Sequence, residues 1–149
     1  YLGEREDRSG ARIAEIMEAQ GYTVRKKVIL PDDQQMLQDE MIAMCHDDIQ
    51  LILTTGGTGF SKRDVTPEAT LAVSDRVAPG IAEAIRAGSM AITKRAMLSR
   101  AVSAIRHRTL IINLPGSPKA VEESLGFVLD TLPHALGLLR GTDGECGRS

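Results

Sequence analysis

At 149 residues, 42% hydrophobic and 26% charged, the chain is long enough for one globular domain with a sizeable core. A net charge of −2 gives no general electrostatic case for nucleic acid or an anionic membrane, so an anionic ligand would need a local basic patch. Two cysteines, Cys45 and Cys146, fit neither a disulfide framework nor a zinc knuckle, no apolar stretch approaches the ~18 residues of a membrane helix, and no leader-like start is visible.

Free thiols in a reducing, cytoplasmic setting are therefore expected. The chain opens at Tyr1 inside a polar segment, and residues 3–8 read as a solvated loop. An α/β domain usually begins on a buried strand, so a first strand ahead of Gly3 is expected to be missing. Ser9 before ARIAEIMEAQ and Gly21 predicts a capped helix stopped by the glycine. Residues 22–30 have strand character and end at Pro31. Asp32 and Asp33 then open an amphipathic helix to about Asp47, with Leu37, Met41, Met44 and Cys45 facing inward.

Residues 49–55 lack polar alternation, as a strand does when both sheet faces are covered. After a glycine loop, Thr66-Pro67-Glu68 predicts a helix start: threonine as cap, proline in the first position, an acid in the first turn. Pro79-Gly80 breaks that helix, and a second run follows to about Ala91. Residues 101–106 and 109–114 read as strands joined by the basic turn His107-Arg108. The loop Pro115-Gly116-Ser117-Pro118 leads into a long helix from Lys119 to about Leu139, and residues 141–149 are expected to fray. Alternating strands and helices predict a three-layer α/β/α fold, one domain over 1–149, around an open, mostly parallel sheet. Its ligands would lie outside the carboxyl ends of the strands.

The run LILTTGGTGFSKRDVT, residues 51–66, is the main candidate site. Gly56, Gly57 and Gly59 can adopt positive φ and bring N–H groups to an anion, with Thr58 among them. The run is neither the Walker phosphate loop nor the dinucleotide fingerprint, because no Gly-Lys-Ser/Thr follows and the glycine spacing differs. Asp64 adds a carboxylate a few residues on, either a surface acid in a charged loop or a Mg²⁺ ligand.

One of Asp32 and Asp33 suffices as a helix cap, yet in a parallel sheet their junction shares an edge with the glycine loop. Asp32 and Asp64 could then face one metal. Gly116 and Ser117 head a helix, a natural anion seat. Asn113 is either a satisfied polar residue at a strand end or a contact to a heterocycle. Ser89, Ser99 and Arg100 are weak signals individually, and His46, His107 and His134 share no metal-binding spacing.

Three segments, TTGGTGFSKRDVTPEAT (54–70), AMLSR (96–100) and LIINLPGSPKAV (110–121), resemble the molybdopterin adenylyltransferase family. That family includes the bacterial Mog-type enzymes and the G domains of gephyrin and its plant counterpart. The resemblance runs from Asp7 to about Arg140 and implies a molybdopterin-binding-domain fold. It also implies a reaction, in which molybdopterin and ATP give adenylylated molybdopterin and pyrophosphate. Two essential aspartates of the family match Asp32 and Asp64, the expected catalytic and Mg²⁺-binding pair. Its ligand contacts match Thr58, Ser89 and Asn113, with Ser117 in the phosphate-facing loop. Gly56, Gly57, Gly59, Ser99, Arg100, Pro115 and Gly116 complete the expected molybdopterin and nucleotide site.

A homotrimer is implied, as is a MoeA-like molybdate-insertion enzyme as a possible partner. MoaB-like paralogues and CinA-type proteins are near neighbours, and the Lys-Arg-Asp-Val-Thr-Pro-Glu context favours the adenylyltransferase. The alternative is a non-catalytic molybdopterin-binding or scaffold domain of the MoaB or gephyrin G type.

Overall fold

The structure is a computed structural model that describes residues 2–142, with side chains from Arg8 onward. Cys146, most of the tail expected to fray and the side chains of residues 3–7 lie outside the described residues. Helices α1 (Leu2–Ala19) and α2 (Gln34–His46) precede strand β1 (Leu51–Thr55). Helix α3 (Thr66–Val73), strand β2 (Arg76–Val77) and helix α4 (Pro79–Met90) follow. Strands β3 (Ser103–Arg106) and β4 (Thr109–Leu114) then lead into α5 (Pro118–Val128) and α6 (Leu132–Arg140).

The sheet order is β1-β4-β3-β2. Strand β4 is its centre, and all six of its residues are buried. Because side chains alternate along a strand, Leu110, Ile112 and Leu114 enter one layer with Met17, Ile85, Leu125 and Leu132 from α1, α4, α5 and α6. Ile111 points to the other face and joins Met41, Ile52, Ala69 and Val73 beneath α2 and α3. Each fully buried leucine or isoleucine contributes about 1.5–3 kcal/mol, so β4 anchors both layers. The α/β architecture with helices on both faces is as expected.

The sheet is mixed rather than mostly parallel. Only β1 and β4 run parallel, from Leu51 opposite Leu110 to Thr55 opposite Leu114. Strands β3 and β4 are antiparallel because the two residues His107 and Arg108 join them directly, too short a link for a crossover. His107 takes φ 55° to make that turn. Strand β2 also pairs antiparallel, with β3.

Residues 22–33 form no strand among the described residues. They run past the free edge of β1, separated from it by a cavity of about 560 Å³ that Met17, Met41, Ile52 and Leu53 help to line. With that gap no ladder forms, and Val24, Val28 and Ile29 stay 37–50% exposed.

Three element boundaries also differ from expectation. Helix α1 already includes residues 2–8, so Ser9 lies inside it rather than capping it. Helix α3 ends at Val73, six residues before Pro79, and β2 intervenes. The long C-terminal helix is interrupted by a 3₁₀ turn at Leu129–Thr131, because Pro133 has no N–H to donate back to Leu129. No helix among the described residues is long and apolar enough to cross a membrane.

Candidate functional site

Parallel pairing brings the carboxyl ends of β1 and β4 side by side, so their outgoing loops meet. Gly56 N–H donates to the carbonyl of Leu114 at 3.0 Å, and Thr55 Oγ1 donates to that of Pro115 at 2.6 Å. A Cβ on Gly116 would lie 3.5 Å from Gly56 Cα, so the two backbones are in contact. From α1, buried Ser9 donates its hydroxyl to the Gly116 carbonyl at 2.7 Å. The residue read as a helix cap thus fixes the second loop from below.

Gly56 and Gly57 take φ 84° and 69°, the left-handed region that glycine enters without steric cost. Gly57 has a further constraint: a Cβ there would overlap the Thr66 side chain. Its carbonyl accepts from Thr66 N–H at 3.1 Å, which closes the loop onto the start of α3. Among the described residues, no protein acceptor takes the N–H of Gly57, Thr58, Gly59 or Phe60, nor those of Gly116 and Ser117. Ser117 caps α5, accepting from Ala120 N–H at 3.2 Å. Two sets of unspent donors, one at a helix start, therefore lie on one edge of the sheet, as anion binding requires.

The two adjacent acids divide their work. Asp33 caps α2 by accepting from Met36 N–H at 3.0 Å. Asp32 is exposed, meets no protein donor among the described residues, and lines the same cavity as Gly56, Gly57 and Thr66. Asp64 is half-buried and its side chain folds back beside Gly59. Its Oδ2 accepts from Ser61 N–H at 2.9 Å and would sit 2.9 Å from a Cβ on Gly59, so a larger residue there would push the carboxylate aside. Both candidate acids thus adjoin the glycine loop.

Arg100 does not reach outward for a ligand. Its backbone N–H donates to Thr58 O at 2.7 Å, its Nε to Gly59 O at 2.7 Å and its Nη2 to Asp64 O at 2.6 Å. Glu68, in the first turn of α3, receives Nη1 at 2.5 Å and Nη2 at 3.3 Å. The hydrogen bond from Arg100 holds the Glu68 carboxyl below the usual carboxylate range, while Glu68 raises Arg100 further.

Asn113 is 1% exposed, and its amide is committed to the protein. Nδ2 donates to Thr54 Oγ1 and Thr70 Oγ1, each at 3.0 Å, and Oδ1 accepts from Val102 N–H at 3.1 Å. Ser99 is likewise occupied: its hydroxyl accepts from Ala101 N–H at 3.2 Å and its carbonyl from Arg86 at 3.1 Å. Ser89 stands at the end of α4, its carbonyl taken by Ile92 and Thr93, and no hydrogen bond ties it to either glycine loop. Thr58 is buried within the first loop. Sequence reasoning missed Ser9, Thr55 and Glu68 as parts of the site. Each acts across 32 to 107 residues on a main-chain carbonyl or on Arg100, and local spacing carries no sign of that.

Amide-lined loops and flanking acids at the carboxyl ends of two parallel strands mark an α/β domain whose candidate site lies on that edge of the sheet. Residues 1–134 match the family described as a probable molybdopterin binding domain, and the chain belongs to that family. It is 50% identical over 111 residues to gephyrin of Dictyostelium discoideum, covering 74% of this chain and 16% of that protein. It is 42% identical over 130 residues to the molybdopterin adenylyltransferase of Haemophilus influenzae, covering 76% of this chain and 64% of that enzyme. The chain thus spans less than two thirds of either relative. In structure it is similar to the molybdopterin biosynthesis enzyme MoaB from Thermus thermophilus, with a TM-score of 0.86 and 44% identity over 93% of this chain and 88% of that one.

Proposed function

We propose that the protein is a molybdopterin adenylyltransferase, transferring AMP from ATP to the terminal phosphate of molybdopterin with release of pyrophosphate. The observation that carries this reading is the meeting of two amide-lined loops at the ends of β1 and β4, with Asp32 lining the cavity beside the first loop and Asp64 bonded to Ser61 just after it. The match to the family and the likeness to a named adenylyltransferase support it.

In the transfer, an oxygen of the molybdopterin phosphate bonds to the α-phosphorus of ATP while the bond to the bridging oxygen breaks and pyrophosphate leaves. The phosphate nucleophile is already ionised at neutral pH, so neither aspartate need take a proton. What the chain supplies is position and charge compensation. The amides at 57–60 hold one phosphate, and those at Gly116 and Ser117 hold a second phosphoryl group.

Asp32 and Asp64 are the residues that would hold Mg²⁺. Their donor set fits it: Asp32 meets no protein donor among the described residues, and Asp64 keeps one oxygen beyond its bond to Ser61. An ion held by these two carboxylates would complete its coordination with water and substrate phosphates. When bound, Mg²⁺ neutralises charge on the pyrophosphate leaving group. Thr58 and Ser89 contact the pterin ligand in this reading, and Asn113, Ser99 and Pro115 shape the walls behind it. The reading also takes the protein to be a cytoplasmic homotrimer that hands its product to a molybdate-insertion enzyme of the MoeA kind.

Incubation with molybdopterin, ATP and Mg²⁺ tests the reading: pyrophosphate should form only when pterin is present. The 50% identity to a gephyrin segment favours a second reading, a non-catalytic pterin-binding scaffold. Pterin binding without pyrophosphate release would select it.

A further inference from the structure

We propose that Arg100, braced by Glu68, is a positioning residue that sets the orientation of the phosphate-facing amides of the glycine loop. The proposal rests on the adenylyl-transfer reading only for the identity of the substrate. In a trans peptide the C=O and the following N–H point in opposite directions. Arg100 draws the carbonyls of Thr58 and Gly59 to itself, through its backbone N–H and its Nε. The N–H groups of Gly59 and Phe60, in the same two peptide planes, are thereby turned the other way. Thr66 does the same for the N–H of Thr58 by taking the carbonyl of Gly57. Nη2 completes the hold by binding the carbonyl of Asp64, the candidate metal ligand.

Four of the five guanidinium N–H groups are spent in this way, on Gly59, Asp64 and both oxygens of Glu68. A guanidinium so committed, with a carboxylate against it, offers little to a substrate phosphate. What it offers is a rigid planar fork that spans acceptors fixed by two different segments. Lysine keeps the charge and loses the fork. Glu68 restrains the fork from α3, and the glycine loop closes onto that same helix at Thr66.

The test uses the full chain with Arg100→Lys and Glu68→Gln. Amide NMR spectra are titrated with inorganic phosphate, and steady-state rates are measured with molybdopterin and ATP. In the wild-type chain phosphate should shift the amide signals of Thr58, Gly59 and Phe60. Arg100→Lys should weaken that binding about tenfold or more and raise KM for molybdopterin, with Glu68→Gln intermediate in both.

A residue needed only for folding would lower kcat in step with the folded fraction and leave KM and phosphate affinity unchanged. That pattern overturns the proposal, and so does a wild-type chain whose 58–60 amides ignore phosphate. Should Arg100→Lys fail to fold, Glu68→Gln is read by the same two measures. A wild-type chain that makes no pyrophosphate from pterin and ATP sinks the adenylyltransferase reading, while the phosphate titration still decides the role of Arg100.

Discussion

Gly57 shows how much one position can be asked to satisfy. Its φ of 69° and the Thr66 side chain above it leave room for no Cβ, so Gly57→Ala must either twist the loop or push α3 away. The expected cost is about 1–3 kcal/mol of stability, read by denaturant unfolding, with weaker phosphate binding than the stability loss explains. Asp64 holds Ser61 N–H and, in the proposed reaction, has a second duty, to present charge. Asp64→Asn keeps an acceptor for Ser61 and removes the charge, so it should fold normally, bind pterin, and lose adenylyl transfer by about 100-fold or more. Near-wild-type turnover in that variant would remove Asp64 from the proposed chemistry. These duties were legible in the sequence as types, glycines and an acid after a strand. Which glycine faced a side chain and which an acid was not, because that depends on Thr66 and Asp64 folding back over the loop.

At the level of elements, β4 and α2 were the easiest to read. Residues 109–114 form a short, mainly apolar run set off by the basic turn His107-Arg108, and paired aspartates after a proline announce a helix start; α2 indeed ends at His46, one residue short of the expected limit. Residues 22–30 were misread because strand propensity needs a neighbour to pair with, and here a cavity takes the neighbour's place. Asn113 joins β4 to β1, to α3 and to the turn before β3 through one amide. Asn113→Leu should leave Thr54 Oγ1 and Val102 N–H without their partner, while Thr70 keeps its bond to the Thr66 carbonyl, and cost about 3 kcal/mol in unfolding experiments. A cost below a few tenths would mean that the amide is free for a ligand after all.

The bond between Glu68 on α3 and Arg100 carries a pH signature. A carboxyl whose folded pKa is depressed stabilises the fold above its unfolded value of about 4.3 and loses that contribution as pH falls through the folded pKa. Melting curves should therefore show wild type slightly above Glu68→Gln at pH 7, the gap closing in the acid range. The gap is small because the pair is nearly half exposed.

For the whole molecule, both the three-layer architecture and the meeting of the glycine loops on the carboxyl edge were readable from the alternation of elements, though the strand directions were not. A two-residue turn decided those. Ile92, Met97 and Leu98, each about half exposed, follow one another along the stretch after α4. Such a surface suits a protein that associates, and sedimentation velocity should find three monomer masses. A single-mass boundary at micromolar concentration would withdraw the trimer.

The ties that shape the glycine loop come from far along the chain: Arg100 lies 41 residues beyond Gly59, and Pro115 lies 60 beyond Thr55. During synthesis the loop therefore leaves the ribosome together with Thr66 but long before Arg100 and Pro115. A nascent chain halted at residue 99 carries Gly56, Gly57, Gly59 and the Thr66 tie, but neither Arg100 nor the second loop. The full set of ties exists only once β4 lies between β1 and β3.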